Sequence, residues 1–179
     1  MVRRVYFSFH YENDVWRANQ VRNSWVTKDK EAAGFKDAAE FEAVKKQGGD
    51  EAIKRWIERN LQGTSVTPVL VGEDTCHRWW VRYEIEESIK RGNGIIFVKI
   101  HNLKDQNGNT CNEGDLDFGD IDISEYPVYD YVEENGYENM GDWIEQSALA
   151  ANRPELGAPP SRSASRSSCG RSCKGRSVG

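Results

Sequence analysis

The sequence predicts an α/β fold, in which parallel strands alternate with helices that cover both faces of a doubly wound sheet. Three short, mainly apolar runs carry this prediction, at residues 5–9, 65–71 and 95–100. Strands that are buried on both faces have this continuous apolar character. Segments with helical periodicity follow the first two runs, and this alternation is typical of βαβ units.

Three helices are predicted around these strands, at residues 13–26, 50–61 and 75–91, each with apolar residues at helical spacing. The second is the clearest, because acidic residues stand at its start, an apolar stripe follows and Gly63 comes just after its end. The stretch at residues 28–49 is predicted to be irregular, with a short strand near residues 34–38 and a broken turn after it.

The second of these apolar runs, the predicted strand at residues 65–71, contains Pro68. Proline has no N–H group to donate to a neighbouring strand, so a central strand here requires a bulge or a local gap. Further along, residues 102–124 are polar and rich in Gly and Asp and are predicted to form a surface loop. A last strand is predicted at residues 128–132 and a last helix at residues 140–150.

The composition changes near residue 151, which predicts one folded domain at residues 1–150 and a disordered tail at residues 151–179. Residues 156–179 carry five basic residues and no acid, so the first 155 residues carry a net charge of −10 against −5 for the whole chain. An acidic body argues against nucleic-acid binding. No apolar run approaches the ~20 residues of a membrane span, and a cytoplasmic protein is expected.

Trp80 and Glu84 are the candidate functional pair in the third predicted helix. They lie one helical turn apart, next to each other on one face. The core stripe of this helix is predicted at Val81, Ile85 and Ile89, which places the pair at the border with solvent. Ligands of doubly wound sheets bind beyond the carboxyl ends of the strands, so Glu84 is expected to face a cleft there. On this spacing alone, a solvated surface glutamate is the better explanation of Glu84, because Glu86 and Glu87 stand right beside it.

A continuous series of motifs runs through residues 2–108. It includes VYFSFH at 5–10, END at 12–14, FKDA at 35–38, GTSVT at 63–67, WVRYEI at 80–85 and GNGII at 92–96. In this series the sequence resembles the TIR-like family, and within it the TIR-like proteins of the bacterial Thoeris anti-phage defence system. Beyond residue 108 the resemblance is loose.

The resemblance implies a flavodoxin-like sheet and an enzyme that cleaves NAD+ at the nicotinamide–ribose bond. It implies a signalling nucleotide derived from ADP-ribose, usually cyclic, which a separate effector protein reads. A phage-derived trigger and a homo-oligomer formed on activation are further expectations. The family's catalytic glutamate falls on Glu84, and its substrate-binding positions fall on Phe9, His10, Asp37 and Trp80. NAD+ is the substrate, so no cofactor and no metal are expected.

One carboxylate is enough for this chemistry, because the leaving group is already a cationic pyridinium. Ordinary glycoside hydrolysis needs a second carboxyl group to protonate the leaving oxygen. Here the remaining task is to stabilise positive charge on the ribose, which one fixed carboxylate can do. Trp79, where the family often has a polar or basic residue, departs from the pattern and is expected to narrow the mouth of the pocket.

Two other functions stay open on the sequence alone. A non-enzymatic TIR-like adaptor would act through surface residues such as Lys54 or Arg59, and it would not need Glu84. A receiver domain, which accepts a phosphoryl group on an aspartate, shares the doubly wound sheet. Its acidic cluster is imitated by Glu12, Asp14 and Asp74, but Asp74 lies three residues beyond the end of its strand.

Overall fold

The fold was analysed in a computed structural model that describes residues 3–26 and 38–151. The elements are α1 (Val15–Val26), α2 (Ala38–Leu61), β1 (Val66–Val71), a 3₁₀ turn (Thr75–His77), α3 (Trp79–Lys90), β2 (Gly94–Lys99), β3 (Val128–Asp130) and α4 (Gly136–Ala151). The three strands are parallel in the order β1-β2-β3, which confirms the predicted α/β class. Asp37 and most of the predicted tail lie outside the described residues, and the domain boundary stays a prediction.

The sheet is the core of the molecule. All six residues of β1 and the first five of β2 are buried, because helices cover both faces of these strands. The two strands pair in register from Val66 with Gly94 to Val71 with Lys99. Burial on both faces explains why their sequences are continuously apolar rather than alternating.

The first predicted strand runs parallel to β1 but forms two isolated bridges, Val5 with Val66 and Ser8 with Val69. The amide of Ser8 donates to the carbonyl of Pro68, and the amide of Leu70 donates to the carbonyl of Ser8. Alternate residues of a parallel strand donate to the same neighbour. Position 68 would therefore be another donor towards this segment, and proline has no N–H. The gap predicted at Pro68 is confirmed.

The helix α2 begins much earlier than predicted. Residues 38–49, which were expected to be irregular, are helical, and the break lies at Gly49, with φ 59° and ψ −152°. Phe41 explains the difference, because its side chain is fully buried against Trp56 in the second half of α2. Packing of this aromatic ring stabilises the helical turns before the break, so the prediction of an irregular stretch is wrong for residues 38–48. The break itself lies at one of the two glycines that suggested a turn. The predicted strand near residues 34–38 lies almost entirely outside the described residues.

The helix α3 starts later than predicted. Residues 75–77 form the 3₁₀ turn, Arg78 is extended with φ −93° and ψ 118°, and α3 begins at Trp79. Trp80 and Glu84 consequently occupy the first two turns of α3.

The buried face of α3 also differs from the prediction. Trp80 and Glu84 were expected at the border with solvent, but they and Ser88, one turn further along the same face, are buried. Ile89, predicted in the core stripe, is 40% exposed. The reason is that α3 packs against α2 as well as against β1 and β2, so that two faces of this helix are covered.

The last third of the chain follows the prediction more closely. β3 is two residues shorter than expected, and α4 begins four residues earlier than expected. No helix or strand occurs in residues 102–124, but this loop is more than surface, since Phe118 is buried against Phe97. Among the described helices, none has both the length and the apolar character of a membrane span.

Candidate functional site

Glu84 is fully buried, and both of its carboxylate oxygens accept hydrogen bonds from hydroxyl groups. Tyr6 and Tyr11 donate to Oε1 at 2.5 and 2.7 Å, and Ser8 donates to Oε2 at 2.6 Å. These O–H···O distances are typical of charge-assisted hydrogen bonds. Three donors on one carboxylate favour its ionised form, and they offset the free-energy cost of burying it.

Two chain segments build this arrangement. Tyr6 and Ser8 are two residues apart in the extended N-terminal segment, so their side chains point to the same face. Tyr11 lies in the turn that follows, and Glu84 comes from the second turn of α3. Burial, and then the charge of Glu84, raise the pKa of Tyr11 well above its ordinary value. Tyr11 therefore stays protonated and remains a donor.

Trp80 forms a wall beside this carboxylate. Its indole ring is stacked on the imidazole of His10, with ring centres 6.0 Å apart and planes at 12°. Phe41 contacts the same ring at 5.2 Å, and Trp79 meets it edge-on at 6.1 Å. Trp80 is only 5% exposed, so its neighbours on α2 and in the N-terminal segment cover most of the ring.

His10 is buried and neutral. Burial, and then the nearby charge of Arg78, lower the pKa of His10 to about 4. Its Nδ1 accepts the amide N–H of Asn13 at 3.3 Å, which places the proton of the neutral ring on Nε2. Among the described residues, this Nε2 has no hydrogen-bond partner.

The structure thus brings three of the five predicted site residues together, namely Glu84, Trp80 and His10. Phe9 is fully buried, and its ring packs against Tyr11 with ring centres 4.7 Å apart. Among the described residues, Tyr11 is the aromatic residue that connects Phe9 to this cluster. Asp37 lies outside the described residues. The expected position of Glu84 at the border with solvent is wrong, because the hydroxyl groups and the surrounding aromatic rings enclose its carboxylate. That Glu84 serves a nucleotide cleft stays a prediction.

The three hydroxyl donors were not predicted from the sequence. A signal was available, since Tyr6 and Ser8 stand at alternate positions of an otherwise apolar strand. Polar groups with this spacing inside a buried strand need partners on one side of the sheet.

A second polar network fixes the loops at the carboxyl end of β1. Arg17 pairs with the buried Asp14 at 3.1 Å and also donates to the carbonyls of Leu103 and Asn109. Burial raises the pKa of Asp14, although Arg17 opposes the shift. Gly72 lies so close that an added Cβ would be 2.3 Å from the carboxylate of Asp14. This buried ion pair therefore holds α1 against the loop at residues 102–124.

A cavity of about 520 Å³ lies at the opposite end of the sheet, near the start of β2. Its lining includes Ile89, Gly94 and Tyr126 but none of the five predicted site residues. Within the described part of the chain, no group of three His, Cys, Asp or Glu side chains is arranged to hold a metal ion.

Comparison with known proteins agrees with the resemblance noted above. The family model described as "Thoeris protein ThsB, TIR-like domain" matches residues 6–105, a range that includes all five predicted site residues. "Putative cyclic ADP-D-ribose synthase ThsB1" from Bacillus cereus (strain MSX-D12) is 42% identical over 168 residues, which cover 90% of this chain and 84% of that protein. The chain therefore belongs to the Thoeris ThsB family of TIR-like proteins.

Proposed function

We propose that this protein cleaves NAD+ at the nicotinamide–ribose bond and makes a cyclic nucleotide derived from ADP-ribose as a signal in anti-phage defence. The family and the name of the Bacillus cereus relative support the reaction. The observation in this chain that carries the proposal is the buried carboxylate of Glu84, with hydroxyl donors on both oxygens and the indole of Trp80 one turn away.

The reaction breaks the bond between C1′ of the ribose and the pyridinium nitrogen. The electron pair leaves with neutral nicotinamide, so no acid is needed, and positive charge develops on the ribose. Glu84 stabilises this charge from a site with little water, where a fixed negative charge is most effective. The ribosyl carbon is then captured by a nitrogen of the adenine, which gives a cyclic product, or by water, which gives ADP-ribose.

The hydroxyl groups around Glu84 mark the positions that ribose would occupy. A ribose hydroxyl is the same kind of donor as Tyr11, whose hydroxyl lies 2.7 Å from Oε1. Because Glu84 is fully buried, substrate reaches it when a side chain moves aside and a ribose hydroxyl replaces the displaced donor. Tyr11 is the candidate, since it lies in a turn, whereas Tyr6 and Ser8 lie in the segment that pairs with β1.

Trp80 is proposed to contact the nicotinamide. It lies one helical turn before Glu84 on α3, and an indole face attracts a cation by about 1–2 kcal/mol once water is excluded. His10 and Phe9 would complete the wall of this site, with Asp37 as a further contact to the substrate. The attraction between Trp80 and the pyridinium disappears when the leaving group becomes neutral, so it favours binding rather than bond breaking.

Several partners belong to the same proposal. A separate effector protein reads the nucleotide, a phage-derived trigger starts its synthesis, and the active form is a homo-oligomer. NAD+ enters as substrate rather than as a bound cofactor, and the reaction needs no metal. The protein would act in the cytoplasm, where NAD+ is available.

The test replaces Glu84 by glutamine, which keeps the size of the side chain and removes its charge. Cells that express the full chain are challenged with phage, and their NAD+ is measured over time. We expect Glu84→Gln to slow NAD+ loss by about 10²–10³-fold, by analogy with other lost electrostatic contacts. Glu86→Gln is the matched control, because Glu86 lies exposed on the same helix.

An unchanged rate of NAD+ loss in Glu84→Gln would overturn the catalytic assignment. If protection against phage then depended on Lys54 or Arg59 instead, the adaptor function would be correct. A purified wild type that shows no activity without phage does not decide the question, which is why infected cells are used.

A further inference from the structure

Three buried N–H groups without acceptors surround the start of α3. They are Nε2 of His10, Nε1 of Trp80 and Nε of Arg78, and none has a hydrogen-bond partner among residues 3–26 and 38–151. A buried donor without an acceptor costs about 1–3 kcal/mol, and native proteins keep few such groups. Three of them at one place indicate an acceptor that the described part of the chain does not supply.

The three groups form one cluster around the indole of Trp80. His10 is stacked on this ring, and the guanidinium carbon of Arg78 lies 5.6 Å from its centre. Arg78 is also close enough to His10 for its charge to lower the pKa of the imidazole. Because all three nitrogens are donors in these protonation states, the missing partner is rich in acceptor oxygens.

Arg78 is the cation that favours an anionic ligand, because among the described residues it makes no ion pair with any acid. Lys45 lies 5.9 Å from the Trp80 ring, but it pairs with Glu12 at 3.7 Å and with Glu42 at 3.8 Å. Glu12 and Asp74 are the acids that face His10, and Asp74 accepts the side-chain amide of Asn13 at 3.1 Å.

The start of α3 reinforces this preference. Arg78 is the N-cap residue of α3 and makes no side-chain capping bond. The first N–H groups of a helix, together with its dipole, attract negative charge. A cationic side chain and two neutral buried donors therefore meet at the positive end of a twelve-residue helix.

We propose that Arg78, His10 Nε2–H and Trp80 Nε1–H bind the diphosphate of the nucleotide substrate. This inference rests on the proposed function, in which the substrate is NAD+. The diphosphate is the anionic part of that molecule, and the nicotinamide ribose joins it to the reacting carbon. Positions 78 and 84 are separated by about 9 Å along the helix axis, which is room for that ribose. The neutral imidazole donates without placing a second cation beside the pyridinium.

The test measures binding of ADP-ribose, which contains the diphosphate and lacks the nicotinamide, to the purified full chain by titration calorimetry. Arg78→Gln is expected to weaken binding about 10- to 100-fold, as for loss of a hydrogen bond to a charged group. Arg78→Lys keeps the charge without the planar fork and should give an intermediate loss. Arg91→Gln, at the other end of α3 beside Glu87, is the matched control and should bind like wild type.

Binding of nicotinamide riboside, which has no phosphate, should be the same in Arg78→Gln and wild type. A thermal unfolding curve for each variant checks that the protein is folded. If Arg78→Gln does not fold, the comparison of Arg78→Lys with wild type provides the test. Equal ADP-ribose affinity in wild type and the folded Arg78 variant, or no ADP-ribose binding by wild type, would overturn the diphosphate site.

The two proposals fail separately. If Glu84→Gln abolishes NAD+ loss in infected cells while Arg78→Gln leaves ADP-ribose binding unchanged, the enzyme assignment stands and the diphosphate site is wrong. If ADP-ribose binding depends on Arg78 while Glu84→Gln retains full NAD+ loss, the nucleotide site stands and the catalytic assignment is wrong.

Discussion

The carboxylate of Glu84 accepts hydrogen bonds from residues that are distant in the sequence. Its three hydrogen-bond donors are 73 to 78 residues away in sequence. The residue itself was predicted from its spacing to Trp80 and from the family resemblance. The donors were not, because their contact with Glu84 depends on how the N-terminal segment lies against α3, which no local pattern encodes.

Tyr11 should contribute measurably to stability through its hydroxyl. Tyr11→Phe keeps the ring between Phe41 and Trp80 but leaves Glu84 with one donor fewer. We expect the free energy of unfolding to fall by about 1.5–3 kcal/mol, as for a hydrogen bond to a charged group. Urea denaturation followed by fluorescence measures this change.

Tyr129→Phe is the matched control for that experiment. The ring of Tyr129 is stacked on Trp143 at 4.2 Å, and its hydroxyl makes no side-chain hydrogen bond with a described residue. Its loss should change the free energy of unfolding by less than about 0.5 kcal/mol. Equal effects of the two substitutions would show that the Tyr11 hydroxyl does not stabilise the buried carboxylate.

His10 should make stability depend on pH. Its pKa is about 4 in the folded protein against 6.5 for the free side chain, so protonation favours the unfolded chain. The stability contribution of neutral His10 is complete above pH 6.5 and is lost as the pH falls towards 4, by on the order of 2 kcal/mol. The measurement is the difference in unfolding free energy between wild type and His10→Gln across this range. Parallel curves for the two proteins would contradict a buried neutral imidazole.

At the scale of elements, the strands were predicted better than the helices. Continuous apolar runs identified β1 and β2 to within one residue, since burial on both faces leaves few alternatives. The start of α2 was missed because Phe41, rather than helix propensity, holds its first half in place. The start of α3 was placed too early because the 3₁₀ turn continues the helical pattern of the sequence.

The contact between β2 and α4 leaves no space for a side chain at Gly94. An added Cβ would lie 2.5 Å from Oγ of Ser147 and 2.6 Å from its carbonyl oxygen. Gly94→Ala should therefore push α4 away from the sheet and lower the free energy of unfolding by about 1–3 kcal/mol. Thermal or urea unfolding measures the loss.

Gly92→Asn provides the control two residues away. Gly92 has φ 72° and no atom within 4 Å of an added Cβ, and asparagine tolerates this left-handed conformation. We expect a change below about 1 kcal/mol. A loss in Gly92→Asn as large as that in Gly94→Ala would show that the turn, and not the packing of α4, is the sensitive feature.

At the scale of the whole molecule, an acidic body carries a local cluster of donors beside its buried catalytic candidate. The net charge could not reveal the cluster around Arg78, because this cluster depends on the extended conformation that Arg78 adopts just before α3. The family and the sheet were predictable because the motifs are continuous over residues 6–105. The complete burial of Glu84 was not predictable, because it follows from packing among α2, α3 and the N-terminal segment.

The most direct test of the central claim is mass spectrometry of the small molecules in phage-infected cells that express the full chain. Cells with wild-type protein should accumulate nicotinamide together with a cyclic nucleotide derived from ADP-ribose. Cells with Glu84→Gln should contain neither above the level of cells without the protein, whereas cells with Glu86→Gln should resemble wild type. The same nucleotide at the same level in Glu84→Gln cells would contradict the role assigned to this carboxylate.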